Sequence, residues 1–290
     1  MDTAIVILNY NNYDLTIACV KQLLWLGIKA RIVIVDNGST NESFFLIKKE
    51  FDNINNIHII QSGNNYGYAC GNNYGLKYIE NFDGIKYICI MNPDVKIVTK
   101  DYLEILKENF KYNDELVIVS GIQVNHKDFK NKRYGWRLPS MIEIVTKGPL
   151  AKQKYIIPKN DLEKLFYVDV VSGACFMIKY SFFKKIGYFS TNTFLYNEEN
   201  ILSLKVKNMG YRIATDTTCY YEHNHVFSQK KFIDIKSRIN FCKIWFSGRK
   251  QLLKEMNGMM LLPVLVINFL VHCAYFVFLE LVQAIRRRNR

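Results

Sequence analysis

The chain has 290 residues, 49% hydrophobic and 22% charged, which excludes wholesale disorder and leaves room for one large α/β domain with an appendage. Its seven cysteines are scattered and never form a Cys-x-x-Cys pair, against a zinc ribbon or disulfide framework and in favour of reduced thiols in cytosol. Within a net charge of +13, residues 230–290 hold twelve Lys/Arg against three acids, beside the longest apolar run, so anionic lipid is the expected partner and nucleic acid is not.

Met1 and Asp2 lead straight into an apolar run with no basic region or small-residue cleavage site, so a secretory signal is not expected and the catalytic part should stay inside the cell. Short β-branched runs then alternate with longer amphipathic ones, the pattern of a parallel sheet flanked by helices. Strands are predicted over 3–8, 31–35, 57–61, 86–91 and 116–120. Asp14 is read as capping a helix to about Gly27, Thr40 one to about Phe51, and Thr99 or Asp101 one to about Tyr112.

Each of the first four strands is followed by a polar, turn-forming segment: Asn9-Tyr-Asn-Asn12, Asp36-Asn-Gly-Ser39, Ser62-Gly-Asn-Asn-Tyr-Gly67 and Asn92-Pro-Asp94. In an open parallel sheet the carboxyl ends share one edge, so the four segments are expected to converge on one ligand crevice. The first loop lacks Gly-x-Gly-x-x-Gly and the chain lacks Gly-x-x-x-x-Gly-Lys-Ser/Thr, which argues against dinucleotide binding and a P-loop. What remains is rich in carboxylates and amides. Asp36 has the chemistry to accept from a base N–H or a ribose hydroxyl, and Asn64, Asn65, Gly67 and Gly71 suit close packing on a nucleoside. Asp94, held past an apolar strand by Pro93, suits Mg²⁺ or Mn²⁺ shared with a diphosphate.

Six segments in order carry a family resemblance: Val33-Ile-Val-Asp-Asn-Gly-Ser39, Asn65-Tyr-Gly-Tyr-Ala-Cys-Gly-Asn-Asn73, Met91-Asn-Pro-Asp94, Val171-Ser-Gly-Ala-Cys175, Ile186-Gly-Tyr-Phe189 and Phe194-Leu-Tyr-Asn-Glu-Glu199. Over about residues 3–228 the chain resembles the family 2 inverting glycosyltransferases, and within them the rhamnosyltransferase-like group of bacterial polysaccharide assembly. The resemblance implies a GT-A type α/β fold with a mainly parallel sheet. It places Asn9, Asp36, Asn65, Gly67, Asn72, Asn92, Asp94 and Gly173 around a nucleotide-diphosphate sugar carrying dTDP or UDP, with Asp36 on the base. Asp94 matches the last acid of the metal-binding Asp-x-Asp element, whose first acid is replaced by Asn92. Glu199, or its neighbour Glu198, matches the base that deprotonates the acceptor hydroxyl. His223 and His225 fall where the family often places a histidine near the metal or diphosphate, a surface loop being the other reading.

Lys127, Lys130, Lys132 and Arg133, followed by Tyr134 and Trp136, form a basic and aromatic segment read either as a solvated loop or as an acceptor contact. Residues 261–285 are long enough to span a bilayer, yet Asn268, His272, Glu280 and Gln283 make a polar stripe that favours a helix lying in the interface or packed on a partner. Residues 232–254 mix apolar and basic side chains suited to anionic headgroups, and both segments also suit a homo-oligomer contact.

The expected organisation is a transferase domain over 1–229, a basic amphipathic helical segment over 230–256 and a membrane-associated helix with a basic end over 257–290. The expected activity is transfer of a sugar, L-rhamnose among the candidates, to a lipid-linked saccharide at the cytoplasmic side of the inner membrane. The alternatives are an inactive membrane-bound scaffold that binds sugar nucleotides, or a sugar-nucleotide pyrophosphorylase, which would need a glycine-rich phosphate loop near the N-terminus.

Overall fold

The computed structural model describes residues 1–111, 113–125, 128–151, 153–158, 163–223 and 235–288. They form two compact units, one of residues 1–138, 154–191 and 198–224, the other of residues 139–153, 192–197 and 225–290. The segments 139–153 and 192–197, grouped by sequence with the transferase domain, thus belong to the second unit, together with both C-terminal segments.

In the first unit, β1 (Thr3–Asn9), β2 (Arg31–Asp36), β3 (Ile57–Gln61) and β4 (Tyr87–Met91) alternate with α1 (Tyr13–Trp25), α2 (Ser43–Phe51) and α3 (Tyr68–Ile79). There follow β5 (Val95–Ile97), α4 (Tyr102–Asn109), β6 (Leu116–Asn125) and β7 (Asp128–Arg133). After α5 (Met141–Thr146) of the second unit come β8 (Leu165–Val168), β9 (Cys175–Lys179), α6 (Tyr180–Lys185), α7 (Glu198–Asn208) and β10 (Arg212–His223). The second unit holds α5, α8 (Ile235–Glu255) and α9 (Leu262–Arg288).

One sheet carries the strands in the order β3-β2-β1-β4-β9-β6-β10-β5, with β7 on β6 and β8 on β10. The β3-β2-β1-β4 side is parallel, as patterned. Beyond β4 the sheet is mixed: β9 runs antiparallel to β4 and β6, while β6 and β10 are parallel. Both faces are covered, which is why β1 and β2 read as continuous apolar runs. Successive residues serve opposite cores: Ile5, Ile7, Ile32 and Ile34 pack with Val20, Leu23 and Ile47 from α1 and α2, and Ala4, Val6, Val33 and Val35 pack with Leu76 and Ile79 from α3.

The predicted fifth strand ends at residue 120, yet β6 runs on to Asn125. The extension carries Gln123, polar in sequence but buried between β7 and β10, and at its start Ser120, also buried, donates its hydroxyl to the Cys175 carbonyl at 2.7 Å. The basic and aromatic segment is also not a loop: Asp128–Arg133 is strand β7 on β6. Tyr134 and Trp136 are buried, Tyr134 on Ile122 and Val124, while the Trp136 indole N–H donates to Asn200 at 2.9 Å. Their ring faces are thus not free to stack on an acceptor sugar. Lys127 lies outside the described residues.

Candidate active site

The parallel half delivers Asn9, Asp36 and Gln61 to one carboxyl edge in register, with Asn9 opposite Asp36 and Asp36 opposite Gln61. Asp36 is fully buried, and a carboxylate without water needs donors. The Asn9 amide donates to its Oδ2 at 2.8 Å, and the Ser39 backbone N–H and the Gln61 amide donate to its Oδ1 at 3.0 and 3.4 Å. Asn9 is set in turn by the Thr16 hydroxyl, which donates to its Oδ1 at 2.8 Å. Both Asp36 oxygens, expected to face a base, accept these bonds and so tie the first and second loops to each other and to the end of β3.

The second and third loops are clipped by Asn37, whose amide donates to Asn65 Oδ1 at 3.0 Å and to the Gly67 carbonyl at 3.2 Å. Asn65 Oδ1 also accepts from the Gly67 backbone N–H at 3.0 Å, which sets the start of α3. The approach is so close that a Cβ on Gly38, at φ +70°, would lie 2.4 Å from the Asn64 backbone. Asn72 is buried in α3; its amide donates back to the Tyr68 carbonyl at 2.9 Å, while its Oδ1 has no hydrogen-bond partner among the described residues.

β4 neighbours β1 on the side away from β2, so residues 92–94 begin two strand spacings, about 10 Å, from the Asp36 strand end. The Asn92 backbone N–H donates to the Ala174 carbonyl at 2.7 Å, joining this turn to the one that leads into β9.

The Tyr68 hydroxyl, at the first turn of α3, donates to the Gly173 carbonyl at 2.7 Å. A Cβ on Gly173 would lie 4.0 Å from Glu199 Oε2, so this backbone passes directly beside the Glu199 carboxylate. Glu198 and Glu199 open α7, where acids also favour the helix dipole. Loss of solvent holds the Glu199 carboxyl above its ordinary range. The Tyr68 phenol is pushed well up by burial, and further by the negative charges of Glu198, Glu199 and Asp94.

His223 ends β10 opposite Val95 of β5, and its Nε2 lies 3.2 Å from Asp94 Oδ1, both side chains being largely shielded. Two donors that touch one ion at ~2.1 Å with an octahedral angle stand about 3.0 Å apart, so this pair fits a shared divalent cation. No cluster of three or more His, Cys, Asp or Glu suited to a metal occurs among the described residues, so such an ion would draw further ligands from elsewhere, as cations shared with substrate phosphates do. His225 lies outside the described residues. The structure thus brings together Asp94, His223, Gly173, Glu198 and Glu199, and sets Asn9, Asp36, Asn65, Gly67 and Asn72 in the adjoining loops. Sequence reasoning missed Asn37, Ser39, Thr16 and Tyr68; the signal available for Tyr68 was an aromatic at a helix start inside a quoted motif.

Residues 4–187 match the profile described as Glycosyl transferase family 2. The chain belongs to this family. It is a glycosyltransferase with a GT-A type fold. It is 26% identical over 236 residues, 80% of this chain and 70% of the relative, to the low-salt glycan biosynthesis hexosyltransferase Agl10 of Haloferax volcanii. It is 25% identical over 208 residues, 68% of this chain and 75% of the relative, to the rhamnosyltransferase WbbL of Escherichia coli K12. Among solved structures, GalNAc-T7 with UDP, GalNAc and Mn²⁺ superposes with a TM-score of 0.62 at 12% identity. That likeness covers 86% of this chain and 49% of the other, so the chain spans about half of that protein and the likeness shows the fold.

Proposed function

We propose that this glycosyltransferase moves a hexose, with L-rhamnose the leading candidate, from a dTDP or UDP sugar to a saccharide hydroxyl on a lipid-linked acceptor, with inversion at the anomeric carbon. The observation that carries the reading is the desolvated Glu199 carboxylate beside the Gly173 backbone, in the group of carboxylates that includes the Asp94–His223 pair. The relatives named as a hexosyltransferase and a rhamnosyltransferase support a six-carbon donor sugar.

The base and ribose rest against the loops that Asp36 and Asn37 hold, with Asn65, Gly67 and Asn72, whose Oδ1 has no partner among the described residues, lining that side. Asn92, Asp94 and Gly173 flank the diphosphate and the sugar. Asp94 and His223 would hold Mg²⁺ or Mn²⁺, which when bound offsets the charge of a departing nucleoside diphosphate. The acceptor oxygen attacks the anomeric carbon opposite the diphosphate; as that bond forms and the bond to the diphosphate oxygen breaks, Glu199 takes the hydroxyl proton. Glu199 suits this step because a base whose pKa is raised toward the working pH holds the proton more firmly. Glu198 is more deeply buried and so less open to an acceptor.

The cytoplasmic face of the inner membrane is the proposed location, supported by the basic C-terminal region and by the helix Met259–Leu279, which is apolar and long enough to cross a bilayer, a test that a buried core helix also passes. The test is to incubate the purified chain with UDP, dTDP and GDP sugars, Mn²⁺ and a lipid-linked saccharide, and to measure released nucleoside diphosphate. Release that depends on acceptor and stops with Glu199→Gln supports the assignment; donor binding without turnover under every condition overturns it. Undiminished turnover in chelator would remove the metal.

A further inference from the structure

We propose that α9 lies in the plane of an anionic lipid surface, one side inserted at the headgroup–acyl boundary and the other held by its own protein. The proposal rests on the membrane part of the reading above and decides between crossing the bilayer and lying on it.

Two sides of α9 have opposite fates. Leu265, Asn268, Phe269, His272 and Phe276 recur at helical spacing and form the inward stripe. Leu265 and Phe276 are buried, the Asn268 amide donates to the Val145 carbonyl of α5 at 2.8 Å, and Phe269 meets Phe246 of α8 with ring centroids 5.0 Å apart. His272 packs on Trp245 of α8 at 6.2 Å and presses so closely on residue 148 that only glycine fits there: a Cβ would lie 2.1 Å from its Nε2. The described part of the polar stripe thus faces its own chain: the Asn268 amide and the His272 ring find partners there, while Asn268 Oδ1 is buried without one among the described residues.

The outward side is wholly apolar. Val264, Ile267, Val271, Tyr275 and Phe278 fall within about a quarter of a turn on a helical wheel and are exposed, Ile267 by 62%, and Met260, in the 3-10 turn that leads into α9, is exposed by 85%. No Lys, Arg, Asp or Glu occurs between 259 and 279. A continuous apolar face of this length is not left to water.

Length alone would let α9 cross a bilayer, but its neighbour would have to go with it. α8 lies along α9 through the Trp245–His272 and Phe246–Phe269 contacts, and it exposes Lys236, Asn240, Lys243, Ser247, Lys250 and Lys254 along a single line. If the middle of α9 sat at the centre of the bilayer, Lys243 and Lys250, each within about a turn of those contacts, would sit in hydrocarbon. With α9 in the plane, the same lysines stay at headgroup level, where they complement anionic lipid. The lysine line commits the face to lipid; a second copy of the chain would bring a second set of lysines to the same unit.

Met260→Trp, Val271→Trp and Phe278→Trp, made singly in the full chain, test the depth. Each is mixed with vesicles of phosphatidylcholine and phosphatidylglycerol carrying bromine either near the headgroup or deep in the acyl chain, and quenching is read as the difference from the native chain. Equal quenching of all three by shallow bromine is expected. Deep quenching of Val271→Trp with shallow quenching of the other two means a spanning helix and overturns the proposal. So does a native chain that fails to float with the vesicles and elutes as a dimer. Replacing the four lysines with Gln should cut flotation on phosphatidylglycerol vesicles several-fold; native flotation that is equal on pure phosphatidylcholine overturns the anionic part. Release of nucleoside diphosphate from soluble donor without vesicles is scored separately, so a chain that turns over donor but does not float loses only this proposal.

Discussion

The two sides of the sheet edge treat their polar groups differently. On the β1–β3 side, Asp36 is met by Asn9, Ser39 and Gln61, and Asn37 by Asn65 and Gly67, so the loops are held by the protein itself. On the β4–β10 side, Asp94 faces His223, Glu199 lies beside the Gly173 backbone that Tyr68 holds, and Glu199 is kept above its ordinary range by lost solvent. In the function proposed above, the first side is preorganised to recognise the donor, and the second holds the charge that the reaction would use. Changes on the second side should therefore cost turnover more than stability, and changes on the first the reverse.

The sharpest break is Glu199→Gln, expected to lower kcat by ~10²- to 10⁴-fold. Because the folded protein binds this proton more tightly than the unfolded chain, stability falls as pH rises from the unfolded to the raised folded pKa. Removing the charge should leave Tm at neutral pH unchanged or higher, and a clear fall in Tm would contradict the comparison. In the native enzyme the acid limb of kcat should lie above the ordinary glutamate value of about 4.3. Asp94→Ala is next, with an expected loss of ~10²- to 10³-fold and loss of the thermal shift that Mn²⁺ with nucleoside diphosphate gives the native chain. A retained shift would move the metal elsewhere.

On the recognition side, Gly38→Ala forces a Cβ into the Asn64 backbone at a left-handed φ. It should lower Tm by several degrees, at roughly 2–4 °C per kcal/mol, and raise donor KM about tenfold with kcat nearly kept. A fall in kcat alone would erase the distinction between the two sides. The smallest effect is expected for Trp136→Phe, which removes the indole donor to Asn200, next to Glu199 in the chain. Losing one buried hydrogen bond of about 1 kcal/mol should slow kcat a few-fold, with donor KM unchanged.

The parallel half was legible because alternating side chains serve two cores, so a period of two and a continuous apolar run coexist in β1 and β2. The four loops were legible because turns after such strands draw on Asn, Asp and Gly. β7 was not, because the mostly charged residues 128–133 carry no apolar pattern and take their strand state from β6; the end of β6 was missed because Gly121, Gln123 and Asn125 interrupt the apolar run. Asp36 was readable as a carboxylate at a strand end, but not that Asn9, Ser39 and Gln61 would donate to it, since register across three strands decides that.

By itself, then, the sequence determined the order of strands and helices in the donor half, the carboxylates and amides at its edge, and the apolar, basic end of the chain, because these follow from local periodicity and residue chemistry. Only the tertiary structure decided that Gly173 passes beside Glu199, that His223 faces Asp94, and that Asn268 and His272 of α9 turn inward. Those pairings join residues far apart in the chain, and only packing and strand register bring them together.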